Sequence, residues 1–141
     1  MTMKLVGKKW LSALAVSACI LSGAAWAADA NTPEAVVKGY YTALKARKYE
    51  DAYDLLTPEM IDGKSRDEYV TDWKNIINLG SVILHEYGIS SVEVDGDTAK
   101  VRAWTRASDI FNKDGIIENE TDHLKKIGGV WKLDATEVDM E

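Results

Sequence analysis

Apolar residues between positions 33 and 62 recur at intervals of three and four, the spacing of helices with one buried face. The first helix has the buried stripe Val37, Tyr40, Tyr41 and Leu44. Thr32-Pro33-Glu34 supplies an N-cap, a proline at the first helical position and an acid in the first turn, so we expect this helix to run from there to about Lys48. A short second helix should cover about Glu50 to Leu56, with one further turn after Pro58.

A third helix is predicted after Gly63. Ser65 and Glu68 have the spacing of a capping box, and Gly80 follows the last apolar residue. One face of this helix carries Tyr69, Val70, Trp73, Ile76 and Ile77. We interpret its aromatic residues mainly as core that packs against a sheet.

From Ser81 onward the pattern changes to the period of two that is typical of strands. A hairpin from Ser81 to Ala107 buries one face, made of Val92, Val94, Ala99, Val101 and Ala103. A tight turn at Gly96-Asp97 would pair Ile89 with Trp104. The opposite face then receives Tyr87, Ile89 and Trp104 beside Lys100, Arg102 and Arg106.

A second hairpin is predicted from Ile116–Ile127 and Val130–Val138 around Gly128-Gly129. In the simplest register Leu124 faces Leu133, Asp122 faces Ala135 and Glu120 faces Glu137. The whole pattern predicts an α+β fold with three N-terminal helices packed on a curved antiparallel sheet of four or more strands.

The first 27 residues resemble a secretory signal peptide, with lysines, an apolar run and the small-residue series Ala25-Trp26-Ala27. We expect cleavage after Ala27, a single domain at 28–141, a periplasmic or secreted location and no stable membrane insertion. An alternative is a lipoprotein anchored through Cys19, because Val16-Ser17-Ala18-Cys19 is similar to a lipobox.

Charge and cysteine content narrow the classes of function. Removing residues 1–27 would take away three lysines, no acidic residue and the single cysteine, and would change the net charge from −6 to −9. Such an acidic chain is a poor partner for nucleic acid or anionic membranes, and disulfides and thiol chemistry are excluded.

Three segments resemble secreted bacterial members of the nuclear transport factor 2-like superfamily, in particular lumazine-binding-like domains of unknown function. They are TPEAVVKGYYTALKARKYEDAYDLL, VEVDGDTAKVRAWT and GGVWKLDA, and the likeness spans about Thr32 to Thr136. The resemblance implies a cone-shaped fold with a pocket at its wide end. Members include dehydratases, isomerases, epoxide hydrolases, accessory domains and noncatalytic binders, so the fold alone selects no function.

The predicted pocket is lined by Tyr40, Tyr69, Trp73, Asp122 and Trp131. A catalytic version would use Asp122 as general base, with Glu120 and Glu137 near it and Tyr40 or Tyr69 as hydrogen-bond donor. The competing interpretation places these acids at the wet rim of the sheet. His123 should point away from Asp122. His85, a further catalytic candidate, also points outward in a regular strand, and the alternative is a bulge at Gly88 that turns Ile83, His85 and Tyr87 inward.

No metal site or cofactor is predicted, because the loop Asn112–Gly115 lacks the first and last carboxylates of an EF-hand. A homodimer interface is predicted on the outer sheet face from Tyr87, Ile89, Arg102, Trp104 and Arg106, unless the C-terminal Val138 to Glu141 covers it. Our leading hypothesis is a noncatalytic domain that binds a small ligand or an envelope protein. The alternatives are a small-molecule lyase or isomerase and a structural subunit of an envelope assembly.

Overall fold

A computed structural model describes residues 31–139, in which four helices precede four strands. The helices are α1 (Pro33–Lys45), α2 (Tyr49–Tyr53), α3 (Pro58–Ile61) and α4 (Arg66–Gly80). The strands are β1 (Ile83–Asp95), β2 (Thr98–Ser108), β3 (Ile116–Ile127) and β4 (Val130–Val138). They form one antiparallel sheet in the order β1-β2-β3-β4. The predicted α+β class and sheet are confirmed, and the turn after Pro58 is a fourth helix.

The helix ends follow the capping residues. Thr32 accepts a hydrogen bond from the amide of Ala35, and Ser65 and Glu68 form the complete capping box of α4. Helix α4 ends one residue later than predicted, because Ser81 rather than Gly80 adopts the left-handed conformation, with φ 51°.

Two bulges in β1 overturn part of the predicted register. His85 and Ser90 are extra residues, so Ile89 pairs with Ala103 and Gly88 pairs with Trp104. The bulge at Ser90 shifts the alternation by one residue, and the bulge at His85 shifts it back. Tyr87 and Ile89 therefore lie on the helix side of the sheet and pack against the core, whereas the prediction placed them on the outer face.

A third bulge, at Asp134 in β4, changes the second hairpin in the same way. Leu124 pairs with Leu133 as predicted, but Asp122 pairs with Thr136 and Glu120 with Val138. The predicted partners Ala135 and Glu137 are therefore wrong. Thr136 turns toward Asp122, and Glu137 turns to the outer face beside His123.

The core lies between α1 and the centre of the sheet. Its fully buried side chains include Val37, Val101, Leu124 and Leu133. Main-chain hydrogen bonds of Leu133 with Leu55 and Thr57 hold the chain after α2 against the edge strand β4. Val92 and Val94 share the face of Val101 and Ala99 but are 38% and 57% exposed, so their predicted burial is wrong. The helix layer does not cover that end of the sheet.

Within residues 31–139, no helix combines the length and apolar character needed to cross a membrane. The predicted cleavage after Ala27, the domain start at residue 28, the lipobox at Cys19 and the last two residues of the chain lie outside the described part.

Candidate functional site

An open cavity of about 260 Å³ lies between α1, α4 and the sheet, at the end where β1 begins and β2 ends. Most of its wall is aromatic or aliphatic, and its polar groups are two cations, one carboxyl group and several hydroxyls. The lining residues are Tyr40, Tyr41, Leu44, Lys45, Arg47, Tyr49, Trp73, Ile77, Val82, Ile83, Leu84, Thr105, Ala107, Glu120 and Thr136. A mostly apolar concavity with a few converging polar groups is the usual form of a small-molecule site.

Two carboxyl groups on the same face of β3 meet one tyrosine from α1. The Tyr41 hydroxyl lies 2.8 Å from Glu120 Oε2 and 3.0 Å from Asp122 Oδ2. Residues two apart on a strand point to the same side, so the backbone itself brings these acids together. Glu120 reaches the cavity wall, whereas Asp122 lies behind it with no exposed surface.

Threonines on the neighbouring strands complete this cluster. Thr105 donates to Glu120 Oε1 at 2.8 Å, and Thr136 donates to Asp122 Oδ1 at 2.7 Å. All four carboxyl oxygens of the two acids thus have a hydroxyl within hydrogen-bonding distance. The bulge at Asp134 is what turns Thr136 toward Asp122.

The Tyr41 hydroxyl has one proton to share between the two acids. A tyrosine hydroxyl donates one hydrogen bond and accepts others. Burial raises the pKa of Tyr41, and the nearby charges of Asp122 and Glu120 raise it further, so the hydroxyl keeps its proton. That proton lies between Glu120 Oε2 and Asp122 Oδ2, so the Tyr41 hydroxyl is a hydrogen-bond donor shared by both carboxyl groups.

Asp122 is the acid whose protonated form burial favours. Burial raises its pKa to about 6, and the hydrogen bonds donated by Thr136 and Tyr41 limit that rise. Below about pH 6 the folded chain therefore holds a proton on Asp122.

We expect this buried acid to make stability depend on pH. Between pH 4 and 6 the folded chain keeps a proton on Asp122 that the unfolded chain has lost, so the free energy of unfolding falls as pH rises through this window. A shift of about two pKa units corresponds to roughly 3 kcal/mol. Urea unfolding of wild type and Asp122→Asn at pH 4 and pH 7 tests this: the wild type should lose stability relative to the variant at pH 7. An equal difference between the two proteins at both pH values would contradict it.

An aromatic group closes one side of the cavity. The rings of Tyr49 and Trp73 are 6.0 Å apart and nearly parallel, and Tyr69 meets Trp73 edge-on at 6.4 Å. Burial raises the pKa values of Tyr40 and Tyr69. The buried Tyr69 hydroxyl forms no hydrogen bond within residues 31–139.

Two cations lie at the open side of the cavity, where α1 ends. Lys45 and Arg47 are exposed, line the cavity and form no ion pair within the described part of the chain. The sequence analysis gave neither cation a role in the site.

The structure brings together only part of the predicted pocket. Tyr40 and Trp73 line the cavity as expected. Tyr69 lies behind them, Trp131 belongs to the core and is covered by Lys126, and Asp122 is sealed behind Glu120. These three assignments to the pocket wall are corrected. Asp122 cannot contact a ligand as a base, because the strand directs it into the interior.

Neither histidine reaches the cavity. His85 Nε2 lies 2.7 Å from Ser108 Oγ, and His123 Nε2 lies 3.5 Å from Glu137 Oε2. The bulge at His85 itself, rather than one at Gly88, sets its position. Within residues 31–139, no three His, Cys, Asp or Glu side chains are grouped closely enough to hold a metal ion.

The outer sheet face keeps only part of the predicted interface. Tyr87 is on the helix side, where its ring packs 5.5 Å from that of Tyr41 and its hydroxyl lies 2.7 Å from Thr42 Oγ1. Trp104 stays outside and covers Gly88 so closely that a Cβ there would lie 2.5 Å from its Nε1 atom. Arg106 pairs with Glu86 beside it.

Self-association through this face stays a prediction, now centred on Trp104 and Arg102. If it forms the interface, light scattering should show a dimer for wild type and a monomer for Trp104→Ala, because aromatic residues at interface centres dominate binding energy. The matched control is Trp131→Phe, a conservative change in the core. Two equally monomeric samples, wild type and Trp104→Ala, would reject the prediction.

Comparison with known proteins addresses the fold. No family model matches the chain, and no curated protein matches its sequence. Among solved structures, a SEC-C motif containing protein from Rhodopseudomonas palustris has a TM-score of 0.63 at 16% identity, covering 77% of this chain and 80% of that one. A domain of unknown function with a cystatin-like fold from Nostoc punctiforme has a TM-score of 0.59 at 12% identity, covering 77% and 74%.

A nuclear transport factor 2-like protein of unknown function from Pseudomonas putida is also similar, with a TM-score of 0.54 at 15% identity over 75% of this chain and 84% of that one. The chain has an α+β fold, in which helices pack on one face of a single antiparallel sheet and leave a cavity between the two layers. This is the nuclear transport factor 2-like, or cystatin-like, fold predicted from the sequence. At these identities the likeness concerns the fold alone.

Proposed function

We propose that this chain is an exported, noncatalytic domain that binds a small ligand in the cavity between α1, α4 and the sheet. The observation that carries the proposal is the cavity itself: it is open, mostly apolar, and has the Glu120 carboxyl group on its wall. Its volume of about 260 Å³ is close to the lower limit of ordinary ligand sites, which favours a small ligand.

The polar cluster supports a binding role. Tyr41 and Thr105 already donate to both oxygens of Glu120, so this side chain is fixed in one orientation before a ligand arrives. A fixed acceptor on an apolar wall selects ligands at a small entropic cost, because little has to be ordered on binding.

A lyase or isomerase is the alternative, and the geometry changes its base from Asp122 to Glu120. Glu120 is the acid that lines the cavity, and Tyr40 and Tyr41 are beside it. Turnover of a small carbonyl or hydroxyl compound that disappears in Glu120→Gln would favour this alternative over the binding role.

Calorimetric titration with 4-phenylbutan-1-ol, a neutral probe with an apolar body, tests the binding role. Wild type should bind it, and Ala107→Phe should weaken binding at least tenfold because the new ring fills the cavity. The control Ala135→Phe makes the same change on the sheet outside the cavity and should bind as wild type does. Equal binding by the two variants, or none by wild type, would reject the proposal.

Export is the second part of the proposal, and the series of lysines, apolar run and Ala25-Trp26-Ala27 supports it. Mass spectrometry of the protein from a bacterial periplasm should give a chain that begins at Ala28. A diacylated Cys19 would replace the free form with a lipoprotein, and an intact Met1 would reject export. A folded domain in this compartment could meet an envelope protein through its sheet, the other branch of the binding hypothesis.

A further inference from the structure

The backbone at the cavity mouth contains a residue in a strained conformation. Arg47 follows the end of α1 in the left-handed conformation, with φ 58°. Its amide bonds to Leu44 O, and the next amide, of Lys48, bonds to Ala43 O at 2.8 Å. This is the Schellman arrangement, in which the left-handed position is usually glycine because a side chain strains it. The chain thus has arginine where glycine would fit better.

Strained residues persist where the surrounding structure holds them, and they cluster at ligand sites. The strained Arg47 lies at such a site, because it lines the cavity together with Lys45. By contrast, the other two non-glycine residues with positive φ between residues 31 and 139, Asp62 and Ser81, do not line this cavity.

Positive and negative groups lie at opposite ends of the cavity. Lys45 and Arg47 are at the exposed side, and Glu120, which is 9% exposed, is on the inner wall. An ionised Glu120 repels an anion, and the two cations attract one. An anionic ligand would therefore enter with its apolar part first and leave its charged group at the mouth.

We infer that the ligand is a small amphipathic anion, such as an arylalkyl carboxylate, whose acidic group is bound by Lys45 and Arg47 while its apolar body fills the cavity. This inference rests on the proposed binding function and adds the class of ligand. Arg47 is the specificity-determining residue, because a guanidinium can hold both oxygens of a carboxylate.

Calorimetric titration with three probes tests the inferred ligand class independently of the proposed function. The probes, 4-phenylbutyrate, 4-phenylbutan-1-ol and 4-phenylbutylamine, share one apolar group and differ in the charge of their end group. Wild type should bind the anion at least fivefold more tightly than the alcohol, and the amine least. This preference should shrink in 0.5 M NaCl, because salt screens exposed charges. If only the neutral alcohol and the amine bind well, the cavity is a ligand site but the inferred class is wrong. If no probe binds, the proposed function itself fails.

The Arg47→Gly variant gives the sharpest test, since stability and binding should change in opposite directions. Its thermal midpoint should rise by about 2–5 °C as the strain is removed. Its affinity for 4-phenylbutyrate should fall at least threefold, and its affinity for the alcohol should stay within twofold of wild type.

Asp62→Gly is the matched control, because it relieves the same conformation away from the cavity. It should keep the full preference for the anion. An unchanged ratio of anion to alcohol affinity in Arg47→Gly would overturn the inference, as would the same loss of preference in Asp62→Gly.

Discussion

Replacing Tyr41 by phenylalanine is expected to lower the free energy of unfolding by about 3 kcal/mol at pH 7, because two buried carboxyl groups lose one shared partner. Tyr41 lies within 3.0 Å of Asp122 and 2.8 Å of Glu120, and it is 3% exposed. Urea unfolding monitored by circular dichroism would measure the loss.

The control for this change is Tyr53→Phe. It removes a hydroxyl that donates to Lys64 O at 3.0 Å near the surface, so it should cost no more than about 1 kcal/mol. The loss in Tyr41→Phe should also be smaller at pH 4, where Asp122 is protonated in the folded chain and a neutral acid loses less than a carboxylate when its donor is removed. If the two tyrosine variants lose equal stability at pH 7, Tyr41 is not the shared hydrogen-bond donor of the two buried acids.

Replacing Leu133 by alanine is expected to cost about 2–5 kcal/mol, the range for a large-to-small change in a packed core. Leu133 has no exposed surface, and it pairs with Leu124 across the sheet. Its backbone also holds the chain after α2 through bonds with Leu55 and Thr57. Chemical unfolding would give the difference from wild type.

Leu79→Ala is the matched control, because Leu79 is 80% exposed on the last turn of α4 and should change stability by less than about 0.5 kcal/mol. A loss in Leu133→Ala as small as that of the control would mean that Leu133 is not in the packed core.

The sequence predicted the helices because their signals are local. Proline after threonine and the capping box of Ser65 and Glu68 each identify a helix start from neighbouring residues alone. The four strands and their two glycine turns were predictable for the same reason, and the observed bounds of β3 and β4 equal the predicted ones.

The bulges were not predictable, because the residue types in these strands do not indicate which residue will lack a partner on the neighbouring strand. The extra residue Ser90 moves Tyr87 from the outer face to the helix side, and the extra residue Asp134 places Thr136 rather than Ala135 opposite Asp122. Two single-residue shifts therefore account for the errors in the predicted interface and in the acidic cluster.

The candidate site depends on those shifts and on how deeply each side chain is buried. The sequence predicted that Glu120 and Asp122 share one face, which is correct. It gave no sign that Glu120 would line the cavity while Asp122 is buried behind it. Tyr41 was predicted only as part of a helix stripe. Two adjacent tyrosines that are both buried, Tyr40 and Tyr41, were the available signal, because their hydroxyls need polar partners when buried.

Nuclear magnetic resonance of the tryptophan side chains tests directly whether the cavity between α1, α4 and the sheet is the ligand site. In a titration of ¹⁵N-labelled protein with 4-phenylbutyrate, the indole N–H of Trp73 should shift and saturate, because Trp73 lines the cavity. The indole signals of Trp104, on the outer face, and Trp131, in the core, should stay nearly constant. A saturating shift of Trp104 with Trp73 unchanged would place binding on the sheet face and contradict the account.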